Sequence, residues 1–201
     1  GRPRMDHRER QLGKQFQDGG AYPKVRLGTM WYVIQTITGK EVETVGVIDK
    51  VVAKNSYTKC FVIQRECVWR IEGKCRVHIE PLFPSYVFVE TDTPDIFFYD
   101  LKQVPKLTKL LGRDGTFWTV LPEEQVLLKK LIGNDPEYVV RRSLIEVNEQ
   151  GNIISAQGVL GEYIGKIVRK RLRKRVVIVE LLFLGEVRRV QLGVRLAGDE
   201  D

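Results

Sequence analysis

Three cysteines in 201 residues are too few, and too irregularly spaced, for a disulfide framework. At least one thiol stays unpaired within the chain, and a reducing cytoplasm is the compartment this implies. Histidine is almost absent: the two copies are His7 and His78. There is no P-loop, no Gly-x-Ser-x-Gly and no His-x-x-Glu-His, which removes the usual enzyme classes. No catalytic residue and no cofactor are expected. Cys60, Cys67, Cys75 and His78 offer metal-binding atoms without any Cys-x-x-Cys knuckle, so no metal site is expected either. No apolar run approaches the roughly 20 residues that span a bilayer. Residues 1–29 lack the apolar segment of a secretory signal, so no membrane contact is expected.

What the chain does have is positive charge, +7 overall, unevenly spread. Residues 1–29 hold seven Lys and Arg against three acids, residues 30–149 sixteen against seventeen, and residues 150–201 ten against six. Basicity at one end of an otherwise neutral chain points to a polyanionic partner.

Residues 1–29 are polar and glycine-dotted and read as a disordered extension or an appended tag. From residue 30 to 136 the pattern is α+β, with a mainly antiparallel sheet. Trp31–Thr36 reads as a strand, and Val42, Val45, Ile48 and Val52 recur at helical spacing over about 40–54. Phe61–Gln64 reads as a second strand. Val68–Ile71 and Arg76–Ile79 flank a Glu72-Gly73-Lys74 hairpin turn. Thr93-Pro94-Asp95 opens a short helix to about Leu101. Leu107–Leu111 and Phe117–Thr119 read as short strands around Gly112-Arg113-Asp114-Gly115. Leu121-Pro122-Glu123-Glu124 opens a further helix, stopped at Gly133. Residues 137–150 read as a linker. Residues 151–201 are short strands punctuated by glycine, the pattern of a small all-β barrel.

Two stretches carry the functional reading. In Phe83-Pro84-Ser85-Tyr86, proline fixes φ and restricts the residue before it, so two rings sit in a rigid bend ahead of the strand Tyr86–Val89. Such a corner presents an apolar depression suited to a partner's helix, or else supplies ordinary core. The second stretch is Lys166–Arg175, in which Lys166, Arg169, Lys170, Arg171, Arg173, Lys174 and Arg175 are all basic. Placed between two barrel strands, it makes a phosphate-binding rim, widened by Arg188 and Arg189, or else a solvated turn.

The chain resembles the NusG family of transcription elongation factors. The resemblance rests on Trp31–Thr36 with Gly39-Lys40-Glu41, on Leu82–Val89, on Val104-Pro105, Leu110-Leu111-Gly112 and Leu121–Glu124, and on Gly161, Gly165-Lys166-Ile167 and Val176–Leu182. It covers residues 30 to about 197. It implies a bacterial cytoplasmic transcription factor: an NGN-like domain over 30–136 and an SH3-like KOW barrel over 151–201. It further implies that Phe83, Pro84 and Tyr86, with Trp31 as a floor residue, dock on RNA polymerase, and that the hairpin bearing Arg65, Arg70, Lys74 and Arg76 lies near DNA. The expected partners are RNA polymerase, RNA (a structured hairpin) or DNA, and a ribosomal protein or termination factor, with the chain a monomer. Three departures stand out: Gly151-Asn152 for the usual Gly-Asp, Gln157-Gly158-Val159-Leu160 for Asp-Gly-Pro-Phe, and Ser85 for glycine. With Glu80-Pro81 and the basic barrel, the latter resembles the specialised RfaH and LoaP paralogues that serve a few operons. A different class, a ribosome-associated RNA-binding protein without polymerase contact, would have no use for the Phe83–Tyr86 corner. The β-branched Val176-Val177-Ile178-Val179 favours a stable barrel over a helical alternative.

Overall fold

The computed structural model describes residues 29–111 and 117–199. The expectations for residues 1–28 and for the turn at 112–115 lie outside the described residues. The described chain forms two compact units. One holds the residues up to Phe61 together with Ser85–Gln125, and the other holds Val62–Pro84 with the chain from Val126 onward.

In the first unit, β1 (Trp31–Gln35), β2 (Lys59–Phe61), β5 (Tyr86–Glu90) and β6 (Phe117–Thr119) form an antiparallel sheet in the order β2-β5-β1-β6. Its central strands carry Val33, Ile34, Val87, Phe88 and Val89, all fully buried. Two adjacent apolar strands with both faces covered explain these near-continuous runs. Helix α1 (Glu41–Val51) packs against β2, β5 and α3 (Pro105–Leu110), and α2 (Pro94–Lys102) packs against α3.

The buried face of α1 is Glu41, Thr44, Val47 and Ile48. The apolar spacing points to a face through Val42 instead, yet Val42 is 62% exposed. Polar residues win the inward positions because each has partners. The Thr44 hydroxyl lies 2.8 Å from that of Thr36 and donates to the Lys40 carbonyl at 2.7 Å. Leu107–Leu111 is not a strand. Pro105 at the first helical turn and the buried i, i+3 pair Leu107 and Leu110 make it α3, with Leu111 bridging Thr36. Thr93 precedes α2 but does not cap it, because its hydroxyl donates to the Ser56 carbonyl at 3.2 Å.

In the second unit, β3 (Gln64–Ile71) and β4 (Lys74–Pro81) form a long hairpin. Its two-residue turn, Glu72-Gly73, has φ of 52° and 78°, the mirror-image geometry that matches strand twist. The break at Val62-Ile63 separates β2 from β3, so Phe61–Gln64 is not one strand. α4 (Pro122–Ile132) starts in the first unit and ends in the second, and Glu124 accepts from the Leu121 amide at 2.9 Å. Gly133, φ 64°, ends it. Residues 137–150, expected as a linker, contain two strands. β7 (Val139–Val140) runs parallel to β3, and β8 (Ser143–Val147) runs parallel to β12 (Glu186–Leu196). The alternation of Ser143, Ile145 and Val147 was hidden among charged neighbours.

β8, β9 (Ile153–Gln157), β10 (Ile167–Arg171), β11 (Val176–Phe183) and β12 (Glu186–Leu196) make a curled sheet, ordered β10-β11-β12-β8-β9. Val177, Val179, Leu181 and Phe183 alternate inward along β11, opposite Leu192 and Val190 of β12. The fold is thus α+β with a mainly antiparallel sheet, plus a small barrel-like β-unit. Gly193 of β12 shows how tightly the hairpin seats: a β-carbon there would lie 2.3 Å from the Glu66 carbonyl oxygen and 2.9 Å from Arg142 Cγ. Backbone cannot retreat as a flexible side chain can. Gly193→Ala is therefore expected to cost about 2 kcal/mol by overpacking, read by denaturant unfolding, with Ala197→Gly, at an exposed position, as a near-neutral control.

Candidate docking corner and nucleic-acid interface

Strand β5 begins at the proline corner, and a buried glutamate holds it. Glu41 Oε1 accepts from the Ser85 amide at 2.7 Å and from the Gly39 amide at 3.1 Å. Ser85 adopts φ 74°, a left-handed conformation unusual for a residue with a side chain. Its carbonyl accepts from the Thr36 amide at 2.8 Å, and its hydroxyl meets that of Thr38. These bonds hold a conformation that glycine would adopt without strain.

The residues expected to dock fall into different settings. Tyr86 is half-buried, 5.9 Å centroid to centroid from Trp118. Pro84 is exposed. Phe83 is 5% exposed, its ring 4.6 Å from that of Phe183 at the end of β11. Trp31 is 2% exposed, donates from Nε1 to Glu90 at 2.7 Å, and makes edge contacts with Phe61 and Phe88. It sits in the core of the first unit. Ile37 and Val42, 48% and 62% exposed, flank the residues bonded to Ser85. Sequence periodicity missed this apolar pair because it assigned Val42 to the inner face of its helix.

The basic run forms the edge of the barrel sheet. Among the described residues β10 pairs only with β11, which leaves its outer side as a strand edge. Arg169, Lys170, Arg173, Lys174 and Lys166 are exposed and Arg171 is half-buried. Arg169 and Arg171, two residues apart on one strand, share a face, whereas Lys170 points the other way. Lys170 Nζ donates to the Gly151 carbonyl at 3.0 Å and Asn152 Oδ1 at 3.1 Å. Lys166 lies over the Tyr163 ring, 5.8 Å from its centroid. Arg189 pairs with Glu180 at 3.2 Å, and Arg188 donates to the Phe183 carbonyl at 2.8 Å. Among the described residues no carboxylate pairs with Arg169, Arg171, Arg173 or Lys174. Cations on an edge strand also discourage edge-to-edge aggregation, so the edge has a folding role whatever it binds.

Arg175 is different. It has φ 53° after the 3₁₀ turn Leu172–Lys174, and its guanidinium grips Asp199 through two bonds of 2.7 Å. Its Nη1 donates to the Leu172 carbonyl at 2.6 Å. Arg175 therefore shapes the basic turn from within. The Arg175 hydrogen bond holds the Asp199 carboxyl down at about 2. A depressed folded value means that the pair stabilises above the unfolded pKa near 3.9 and fades as pH falls toward 2. Asp199→Asn is expected to lower stability by about 1–2 kcal/mol at pH 7. The gap from wild type, followed by thermal melting from pH 6 downward, is expected to begin closing only below about pH 4.

Beside the basic turn, Trp69, Arg70, Arg173 and Lys174 line a groove of about 460 Å³. Trp69 is 52% exposed and its ring lies against that of His78, tilted by 35° with centroids 3.6 Å apart. An accessible indole among arginines is the arrangement that stacks unpaired bases. The signal was present in the sequence as Trp69-Arg70 on an alternating strand, but it carried no weight until β3 and the basic turn proved to be neighbours.

The first unit thus carries a clamped turn at Ser85, and the second carries an edge strand whose Arg169 and Arg171 pair with no carboxylate among the described residues. The family model described as "Transcription termination factor nusG" matches residues 29–128, and the chain belongs to the NusG family. A curated relative is the "Transcription termination/antitermination protein NusG" of Halalkalibacterium halodurans. It is 27% identical over 169 residues, covering 81% of this chain and 93% of the relative. A solved structure titled "Domain interaction in Thermotoga maritima NusG" aligns with a TM-score of 0.49 and 23% identity, over 83% of this chain and 94% of that one. No helix among the described residues is long and apolar enough to cross a membrane.

Proposed function

We propose that this chain is a transcription elongation and antitermination factor that docks on RNA polymerase and contacts a structured RNA through its barrel, serving selected operons in the manner of the specialised paralogues. The observation that carries the nucleic-acid half is the set of Arg169, Arg171, Arg173 and Lys174, exposed or half-exposed cations with no acidic partner among the described residues. Concentrated positive charge without internal neutralisation attracts phosphates and releases counterions. Arginine adds planar bidentate donors that lysine lacks. Because the A-form major groove is too narrow for side chains, these arginines would read a loop, bulge or distorted groove, with Trp69 available to stack an unpaired base.

The polymerase half is supported by family membership and by the clamped corner. Tyr86, with Ile37 and Val42 flanking the residues bonded to Ser85, supplies the accessible apolar surface; Trp31, opposite Glu90 at the far end of β1 from Tyr86, belongs to the core of the first unit rather than to the docking floor. Docking through Phe83 as well requires its contact with Phe183 to open. Holding polymerase in one state acts by differential binding, and a second contact to RNA raises effective concentration. The test is transcription in vitro through an intrinsic terminator with purified bacterial polymerase. Readthrough is expected to rise when the leader encodes the cognate hairpin and to fall back when the hairpin is scrambled. Equal readthrough on both templates, with and without the protein, would refute the proposal.

A further inference from the structure

The absence of a Cys-x-x-Cys knuckle excludes only metal sites local in sequence. The β3–β4 register places Cys67 directly opposite His78, and Glu80 lies two residues on, along the same face of β4. Their donor atoms all lie within 4.8 Å of one another. We propose that Cys67, His78 and Glu80 form a three-ligand site for one zinc-class divalent cation, with its fourth position open to the groove beside Trp69.

The chemistry of the donors selects the ion. A thiolate, an imidazole and a carboxylate make a mixed S, N, O set of the kind zinc takes, whereas magnesium and calcium demand oxygen. Thiolate and carboxylate together carry two negative charges, which balance a dication. A tetrahedral zinc with bonds of about 2.0–2.3 Å holds its ligands about 3.3–3.8 Å apart, within reach of small rotamer changes here. Three protein ligands with one open position is the arrangement of accessible zinc sites, and both Cys67 and Glu80 line the groove.

Two further observations bear on it. His78 Nδ1 is buried and has no hydrogen-bond partner, and an orphaned buried nitrogen calls for an ion or a water. Glu80 Oε2 is bonded to Arg65 at 2.6 Å, and Oε1 meets His78 Nε2 at 3.0 Å. Arg65 thus orients the carboxylate from behind while competing for its charge, so the affinity is expected to be below that of a closed structural site. Binding exchanges the Cys67 S–H proton for a sulfur–metal bond and releases that proton to solvent.

The test uses the intact chain, reduced and anaerobic, titrated with Co²⁺ and then Zn²⁺. One equivalent of Co²⁺ is expected to give a thiolate-to-cobalt charge-transfer band, displaced by Zn²⁺. Cys67→Ser is expected to abolish the band. His78→Gln and Glu80→Gln are expected to weaken binding at least tenfold, while Cys75→Ser, at an exposed position, leaves it unchanged. Should the buried Cys67→Ser fail to fold, Glu80→Gln decides, since Glu80 is partly exposed and glutamine still accepts from Arg65. No band in the wild type, a band surviving in folded Cys67→Ser, unaltered affinity in Glu80→Gln, or a band lost in Cys75→Ser would each overturn the site. None of these readouts involves polymerase or RNA, so they stand apart from the proposed function.

Discussion

Replacing Arg169, Arg171 and Arg173 with glutamine is expected to weaken binding to a cognate hairpin RNA by about 100-fold or more near 0.1 M salt, at roughly 1–1.5 kcal/mol for each charge-assisted contact. If each neutralises one phosphate, the log–log salt slope is expected to become shallower by about 2–2.7. The companion substitution of the same three by lysine separates charge from shape. Lysine keeps the electrostatic term but loses the planar fork, so discrimination between cognate and scrambled hairpins is expected to collapse while much of the non-specific affinity remains. Lys174→Gln, one residue on, is expected to weaken both RNAs alike. Arg175 is left out of the set because it is held by Asp199, and changing it would deform the turn that presents the others. Titrations of each variant against both RNAs at two salt concentrations decide the matter. Parallel, salt-insensitive curves for all the proteins would reduce the edge to its role in preventing strand pairing.

The second large effect concerns polymerase. Tyr86→Ala is expected to weaken docking by about 1–3 kcal/mol, as truncation of a hot-spot aromatic does, and Val42→Asp to do comparable damage from the exposed face of α1. Both positions are accessible, so the fold is expected to survive, which circular dichroism checks. Phe83 behaves differently because its ring is covered by Phe183. Phe83→Ala is expected to lose both polymerase affinity and stability. Phe183→Ala is the informative partner: if Phe83 docks after release, affinity rises in this variant; if Phe83 is only core, affinity stays level while stability falls. Normal polymerase binding by folded Tyr86→Ala/Val42→Asp would remove the corner from the interface.

Both sets of residues stood out in the sequence, for different reasons. The basic run is a local property: charge density and its place between two β-branched strands are readable without tertiary information, and Arg169, Lys170 and Arg171 do lie on an edge strand. The corner was legible through proline and aromatic content, but its burial was not, since Phe83 meets Phe183 across a hundred residues. The inward face of α1 was misread for a related reason. Hydrophobicity ranks Val42 above Glu41, yet Glu41 finds two backbone donors at the corner and goes inside. Leu107–Leu111 looked extended because three leucines in a short span fit strand and helix equally, and only the proline ahead of them decides. β8 pairs in parallel with the distant β12 but also antiparallel with the adjacent β9, so the turn at 148–151 was a local signal left unread. β7 escaped notice because it pairs in parallel with β3, a strand distant in sequence, which no turn signal announces. Trp69 and the Cys67–His78–Glu80 cluster have the same origin: their meaning lies in register and in the neighbours the second unit brings together.

The central claim is a factor that joins polymerase to RNA, and the most direct measurement is equilibrium binding of the intact chain to purified bacterial RNA polymerase, followed by fluorescence anisotropy with and without the hairpin RNA. Saturable one-to-one binding is expected, lost in Tyr86→Ala/Val42→Asp, with the labelled hairpin joining the same complex only while Arg169, Arg171 and Arg173 are present. Failure of the wild-type chain to bind polymerase, with RNA affinity intact, would contradict the account and leave an RNA-binding protein of another kind.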